Sequence, residues 1–199
     1  MCDEMHKVRS TIDNIHIQKF CFLSELKGRE QNLKTAYYRF FRYNNGPYCP
    51  ALANDVTALI KGGFLDPESG ELLDRGRHLY AYVKDDIEDS KPATEAVGII
   101  RKIVDAWQRF KGWDIVEEVY KLTVPVDSLG IPMIVKDIPM KTDILIPERT
   151  NAREVSPFSP ELINEIEEEL RISEVSFDRN SNEFQQSVTN RLKAALALS

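Results

Sequence analysis

Apolar residues recur at helical spacing along most of the first 122 positions, which predicts a mainly α-helical protein. The dense apolar run over residues 17–26 predicts a helix that ends at Gly28, with Asn14 as the cap or turn residue before it. A weaker apolar face over residues 8–15 predicts a helix ahead of that one. The longest periodic stretch covers residues 92–111, and its broad stripe (Val97, Ile100 and Val104 among others) is typical of a core helix. Shorter helices are predicted over residues 50–61, 76–87 and 114–122, the last with Asp114 as its cap.

A small β component is predicted between these helices. Residues 36–43 are rich in aromatic side chains and alternate after Tyr38, as strands do. The Asn-Asn-Gly-Pro sequence over residues 44–47 is a strong turn signal, and Pro50 suits the first position of the following helix. Two glycines end that helix, and residues 64–73 predict a short hairpin with a five-residue turn.

The pattern changes after residue 123. Four prolines between positions 125 and 147 interrupt short β-branched runs, which predicts a linker, or an extended arm that packs on something, over residues 124–155. Residues 156–199 form an acidic tail with two amphipathic helical stripes. The stripes consist of Phe158, Leu162, Ile163, Ile166 and Leu170, and of Phe184, Val188 and Leu192. The predicted organisation is therefore a domain over residues 1–123, an arm over 124–155 and a helical tail over 156–199.

Composition and charge narrow the class of protein. The chain has 199 residues and a formal net charge of −6, which argues against indiscriminate binding to nucleic acid. No apolar run approaches the roughly 20 residues that a membrane span requires, and residues 1–4 do not resemble a secretion signal. Three widely spaced cysteines do not suggest a disulfide framework. These features predict a cytoplasmic protein that does not bind membranes.

No arrangement of residues in the sequence predicts catalysis. The three histidines and three cysteines lack metal-ligand spacing, and no nucleophile elbow, Walker A loop or dinucleotide-binding glycine motif is present. The acidic run over residues 85–89 lacks the glycine and the spacing of a calcium loop, so it is interpreted as a solvated helix end. The sequence therefore predicts a non-enzymatic protein without cofactor, metal or catalytic residues.

The order of helix, helix, aromatic strand, Gly-Pro turn, helix and hairpin is that of a winged helix-turn-helix variant. The residues at these steps resemble those of the prokaryotic Panacea domain family, which includes SocA-like antitoxins and YwgA-like phage-associated proteins. The resemblance covers about residues 8–122, and Cys49 and Asp74 replace the usual serine and threonine. It is carried by Gln18, Lys19, Tyr43, Gly46, Pro47, Tyr48, Pro50, Leu52, Gly63 and Gly76.

The resemblance implies a winged-helix domain that neutralises a toxin by protein–protein contact, or one with an accessory role in phage and mobile-element biology. On this hypothesis the two tail stripes contact the partner, and the surrounding glutamates steer a basic protein towards them. The winged domain or a second copy of the chain are the other candidates for covering the stripes.

The alternative hypothesis is a DNA-binding regulator that acts through the winged helix-turn-helix, with dimerisation supplying basic surface. The helix over residues 50–61 would then contact the bases, but its polar residues are Asn54, Asp55, Thr57 and Lys61, without an arginine. DNA binding is accordingly predicted to be weak.

Overall fold

The computed structural model describes residues 14–155 together with Ile163, Asn164 and Glu168. It confirms a mainly helical protein with small antiparallel sheets. The helices of this part are α1 (Asn14–Glu30), α2 (Pro50–Lys61), α3 (Asp74–Asp89), α4 (Lys91–Trp107) and α5 (Trp113–Tyr120). The strands are β1 (Phe40–Tyr43), β2 (Gly46–Tyr48), β3 (Thr123–Val126), β4 (Ile131–Ile134) and β5 (Asp143–Leu145), with short 3-10 turns at Val135–Asp137 and Pro147–Arg149. The helix predicted ahead of Asn14 lies outside the described residues.

Helix α1 forms the centre of the core. Phe20 and Phe22 are fully buried, and the helix packs against α4, α5 and β2. The prediction that Gly28 ends this helix is wrong, because α1 continues to Glu30. A Cβ atom on Gly28 would lie 2.6 Å from the carbonyl oxygen of Leu33, so glycine is needed there for the close approach of the next segment.

A fully buried carboxylate on α1 fixes the segment that follows this helix. One oxygen of Glu25 accepts hydrogen bonds from the backbone nitrogens of Thr35 and Ala36, at 3.0 and 2.9 Å. Its other oxygen accepts from Arg29 Nε at 3.1 Å. Arg29 also donates to Asp127 at 2.7 Å, so one chain of ionic contacts joins α1 to the segment after β3.

The principal sheet has the strand order β2-β1-β5 and is antiparallel throughout. Tyr43 pairs with Gly46, so the tight turn between β1 and β2 consists of Asn44 and Asn45. The prediction placed Gly46 and Pro47 in that turn, whereas both belong to β2. Gly46 is the first residue of β2 and adopts φ +90°, a conformation that glycine accommodates without a steric penalty.

Residues 124–155 belong to the same packed body as α1 rather than forming a linker. Strand β5 pairs with β1, and β3 forms a hairpin with β4. The segment contributes several fully buried side chains to the main core: Val124, Val126, Val135, Ile144 and Leu145. Pro125 and Pro132 face each other in the two-stranded β3–β4 sheet, where every strand has a free edge.

Three further local predictions need correction. Helix α5 is capped by Gly112, at φ +50°, rather than by Asp114. The predicted hairpin over residues 64–73 is reduced to a single bridge between Leu65 and Leu72. On α4, Val104 is buried as predicted, but Val97 and Ile100 are only half-buried. The predicted stripe of α4 therefore does not lie wholly in the core.

Candidate functional site

Two of the motif residues, Gln18 and Lys19 on α1, lie against strand β2 and the residue that follows it. The side-chain amide of Gln18 donates to the carbonyl oxygen of Cys49 and accepts from the nitrogen of Cys49, both at 2.9 Å. These groups are buried, so Gln18 replaces the sheet partner that the end of β2 lacks. Lys19 donates to the carbonyl oxygen of Pro47 at 2.8 Å. Both motif residues therefore serve as side-chain supports for β2.

Lys19 is almost completely buried beside a second cation. Burial and, to a lesser extent, the nearby positive charge of Arg42 together lower its pKa from 10.5 to about 7. Arg42 lies 4.8 Å from the ring centroid of Tyr120 and donates to the carbonyl oxygen of Val135 at 3.1 Å. The two cations therefore lie in the wall between β1, β2 and α5.

The low pKa of Lys19 predicts a stability that rises with pH. Above pH 7 the folded chain holds Lys19 neutral, whereas the unfolded lysine stays protonated up to about pH 10.5. The unfolded state then binds more protons, so the free energy of unfolding increases with pH. We expect a gain of about 1.5 kcal/mol between pH 7 and 8.5 that Lys19→Met lacks, measured by urea unfolding of both proteins. Parallel pH dependences in the two proteins would contradict this assignment.

Gly46 is held where a side chain is doubly disfavoured. Its φ of +90° is rare for residues with a Cβ atom, and such an atom would lie 3.2 Å from the ring of Tyr120. We expect Gly46→Val to lower the free energy of unfolding by about 1–3 kcal/mol, measured as the shift of the urea midpoint. Gly130→Val is the matched control for backbone strain alone, since Gly130 has φ +69° and open space around it. Equal losses in the two variants would show that Tyr120 plays no part.

The remaining motif residues also have structural surroundings. Tyr43 and Tyr48 stack with centroids 5.4 Å apart, and Tyr43 is 43% exposed. Pro50 is the first residue of α2, as predicted, and Leu52 is buried. The backbone nitrogen of Leu52 donates to Cys49 Sγ at 3.4 Å, so the thiol takes the capping place of the missing serine.

The two later motif glycines shape the bend around the 64–73 turn. Gly63 has φ +71°, where the chain leaves α2. A Cβ atom on Gly76 would lie 2.3 Å from the carbonyl oxygen of Phe64, so this glycine lets α3 cross the turn closely. The motif residues thus fix the backbone around β2, α2 and the start of α3. None of the contacts described for them is an acid–base pair arranged for catalysis.

A large apolar groove lies beside this framework, and the sequence did not predict it. It encloses about 980 Å³ between α2, α3 and α4, with α1 and residues 35–38 at its floor and lip. Its walls include Leu59, Leu79 and Val97, which are half-buried in the structure. This volume is near the upper end of the usual range for ligand pockets, about 300–1,000 Å³. Val97 and Ile100 of the predicted core stripe line this groove.

The charged groups that line the groove lie on its walls alongside the apolar side chains. Lys84 and Glu88 form an ion pair at 3.4 Å, and Asp55 accepts a hydrogen bond from Tyr38 at 2.6 Å. Burial of Tyr38 and, after it, the hydrogen bond to Asp55 raise the pKa of that tyrosine. All four of these polar groups already have a partner within the groove, which favours an apolar occupant over a polar substrate.

Of the residues in the two predicted partner-binding stripes, the structure describes only Ile163. Ile163 lies in a helical stretch and is 37% exposed, and Asn164 and Glu168 are exposed as well. The other stripe residues lie outside the described part of the chain: Phe158, Leu162, Ile166, Leu170, Phe184, Val188 and Leu192.

Residues 14–155 contain no group of three or more His, Cys, Asp or Glu side chains arranged to hold a metal ion. In the same part of the chain, no helix combines the length and the apolar character that crossing a bilayer requires.

Comparison with protein-family models, curated proteins and solved structures finds no match to the chain. The resemblance to the Panacea family therefore stays a prediction that rests on the motif residues.

Proposed function

We propose that this protein is a non-enzymatic, antitoxin-like binding module that acts in the cytoplasm and holds a basic protein partner against its acidic tail. The observation that carries the proposal is the exposure of Ile163, a large apolar side chain in a helical stretch that also exposes Asn164 and Glu168. Protein interfaces combine an apolar centre with a polar, solvent-accessible rim, and Ile163 with its polar neighbours fits that arrangement.

Charge supports a basic partner. Residues 156–178 contain seven acidic residues and one basic residue. Such a segment accelerates encounter with a positively charged surface and repels acidic proteins. A toxin that acts on nucleic acid has a positively charged surface because it must contact phosphates, so it fits this segment.

The winged helix-turn-helix assignment is part of the same proposal. The hairpin β1–β2, helix α2 and the bridged turn over residues 64–73 follow α1 in the order that the resemblance implies. In this domain the acids outnumber the bases where DNA would lie. Residues 46–90 contain nine acids and four bases, and Glu68 in the turn is exposed. These charges favour a protein-binding over a DNA-binding use of the domain.

We expect DNA binding to be weak and strongly dependent on salt. Phosphate contacts supply most of the non-specific affinity, and the acidic turn opposes them. The measurement is a mobility-shift titration of the protein's own promoter at 50 and 150 mM salt. A footprint that persists at physiological salt and disappears in Lys61→Ala would reverse the order of the two hypotheses.

Co-expression with the product of each neighbouring reading frame tests the proposal. We expect one neighbour to arrest growth and the full chain to restore it. Ile163→Asp should abolish the rescue and Asn164→Asp should retain it, because both variants add one aspartate at adjacent exposed positions but only one removes an apolar contact. A toxic neighbour neutralised equally by both variants would contradict a role for this stripe.

A further inference from the structure

Two buried cations lie together on the core side of the principal sheet. Lys19 on α1 is 2% exposed, and Arg42 on β1 is 8% exposed. Arg42 lies opposite Pro47 in the β1–β2 pair, and Lys19 donates to the carbonyl oxygen of Pro47. The positive charge of Arg42 acts on Lys19 from this position. Within residues 14–155, both cations contact neutral carbonyl oxygens, and neither forms an ion pair with a carboxylate.

Both cations retain hydrogen-bonding capacity. The Nη1 atom of Arg42 is buried and has no hydrogen-bond partner. An ammonium group has three N–H donors, and the carbonyl oxygen of Pro47 occupies one donor of Lys19. A buried donor without an acceptor costs free energy, and two buried cations without a negative charge cost more. The component that would compensate both residues is therefore an anion.

Gly46 leaves room beside the lysine. A Cβ atom built on Gly46 would lie 3.7 Å from Lys19 Nζ and 3.2 Å from the ring of Tyr120. The guanidinium of Arg42 lies 4.8 Å from the centroid of that ring, so the guanidinium and the open position beside Lys19 border the same side chain. The φ of +90° at Gly46 disfavours any residue that would fill this position.

We propose that Lys19 and Arg42 bind one small inorganic anion of the size of chloride beside Gly46. A monatomic anion suits a site whose two donors are almost enclosed, because it needs little space and is satisfied by N–H groups from any direction. The ion neutralises the cation pair and joins α1 to the β1–β2 hairpin. This site needs no protein partner, so it goes beyond the proposed function. The pH dependence given above for Lys19 applies to the chain without the anion.

The test is urea unfolding of the full chain at pH 6.5 in 200 mM sodium chloride and in 200 mM sodium gluconate. The two solutions screen charges equally, and gluconate is too large for the site. At this pH the folded Lys19 is mostly charged even without an anion, since its pKa is about 7. If the affinity is about 20 mM, chloride should raise the ratio of folded to unfolded protein about tenfold over gluconate.

Variants of two lysines on α1 show where the chloride acts. Lys19→Met should lose the tenfold gain, and so should Lys19→Gln, which keeps a donor for the carbonyl oxygen of Pro47 but has no charge. Lys27→Met is the matched control, because Lys27 lies on the same helix with its side chain 50% exposed, and it should keep the gain. Line broadening of the chloride-35 resonance by the native chain gives a second readout, and it should fall at least twofold in Lys19→Gln.

Two outcomes would overturn the proposal. Equal stability of the native chain in chloride and in gluconate would show that no chloride-sized anion compensates the two cations. An equal gain from chloride in the native chain, Lys19→Met and Lys19→Gln would show a general effect of the salt rather than a site. Either failure leaves the Ile163 test of partner binding unaffected, because that test measures rescue from a toxic neighbour.

Discussion

Replacing Glu25 by alanine is expected to lower the free energy of unfolding by about 3–5 kcal/mol. The carboxylate is fully buried, and its removal leaves the backbone nitrogens of Thr35 and Ala36 without their acceptor. It also removes one partner of Arg29, whose side chain is only 12% exposed. This is the largest single effect that we expect, because one substitution removes the hydrogen-bond acceptor of two backbone nitrogens and the ionic partner of Arg29 together.

The matched control is Glu30→Ala on the same helix. Glu30 pairs with Lys27, but its side chain is 58% exposed, so the loss should stay below about 0.5 kcal/mol. Urea unfolding of both variants provides the comparison. A similar, small shift in both would show that the contacts of Glu25 do not hold the segment after α1.

The second large effect is expected for Gln18→Leu, with a loss of about 2–4 kcal/mol. Leucine has a similar size, so the change mainly leaves the buried nitrogen and carbonyl of Cys49 without hydrogen bonds. Gln31→Leu makes the same substitution at an exposed position and should change stability by less than about 0.5 kcal/mol. If the two urea midpoints shift equally, the side chain of Gln18 does not support β2.

The sequence predicted much of the fold because several elements carry their own local signals. Pro50 at the start of α2 and the glycines at its end marked both boundaries of that helix correctly. The periodicity of α4 marked its position, with Ser90 as the observed cap. Such signals depend on residues close in the chain, which a single sequence shows directly.

Long-range pairing accounts for what the sequence did not predict. Strand β5 is short and pairs with residues of β1 more than 100 positions away, and the prolines on either side of it, Pro139 and Pro147, suggested an arm. Glu25 is a carboxylate within a densely apolar helix. Its position was the available sign of the buried hydrogen bonds to Arg29, Thr35 and Ala36, but the apolar pattern around it indicated only a core helix. The groove was missed because a half-covered stripe on α4 has the same pattern as a fully covered one.

The buried polar residues of α1 explain why several motif positions need not imply a binding surface. Gln18 and Lys19 are almost fully buried and donate to backbone carbonyls of β2 and its end. Their polar groups already form hydrogen bonds that hold the sheet against the central helix. A partner must therefore be recognised elsewhere on the protein, and Ile163 is an exposed apolar side chain within the acidic segment.

The central claim is that the acidic segment after residue 155 binds a basic protein partner. The most direct measurement is calorimetric titration of the full chain with the growth-arresting neighbour at 50 and 300 mM salt. We predict binding that weakens with salt and falls by at least 30-fold in Ile163→Asp, while Asn164→Asp keeps the affinity. An affinity that changes neither with salt concentration nor in Ile163→Asp would contradict the claim.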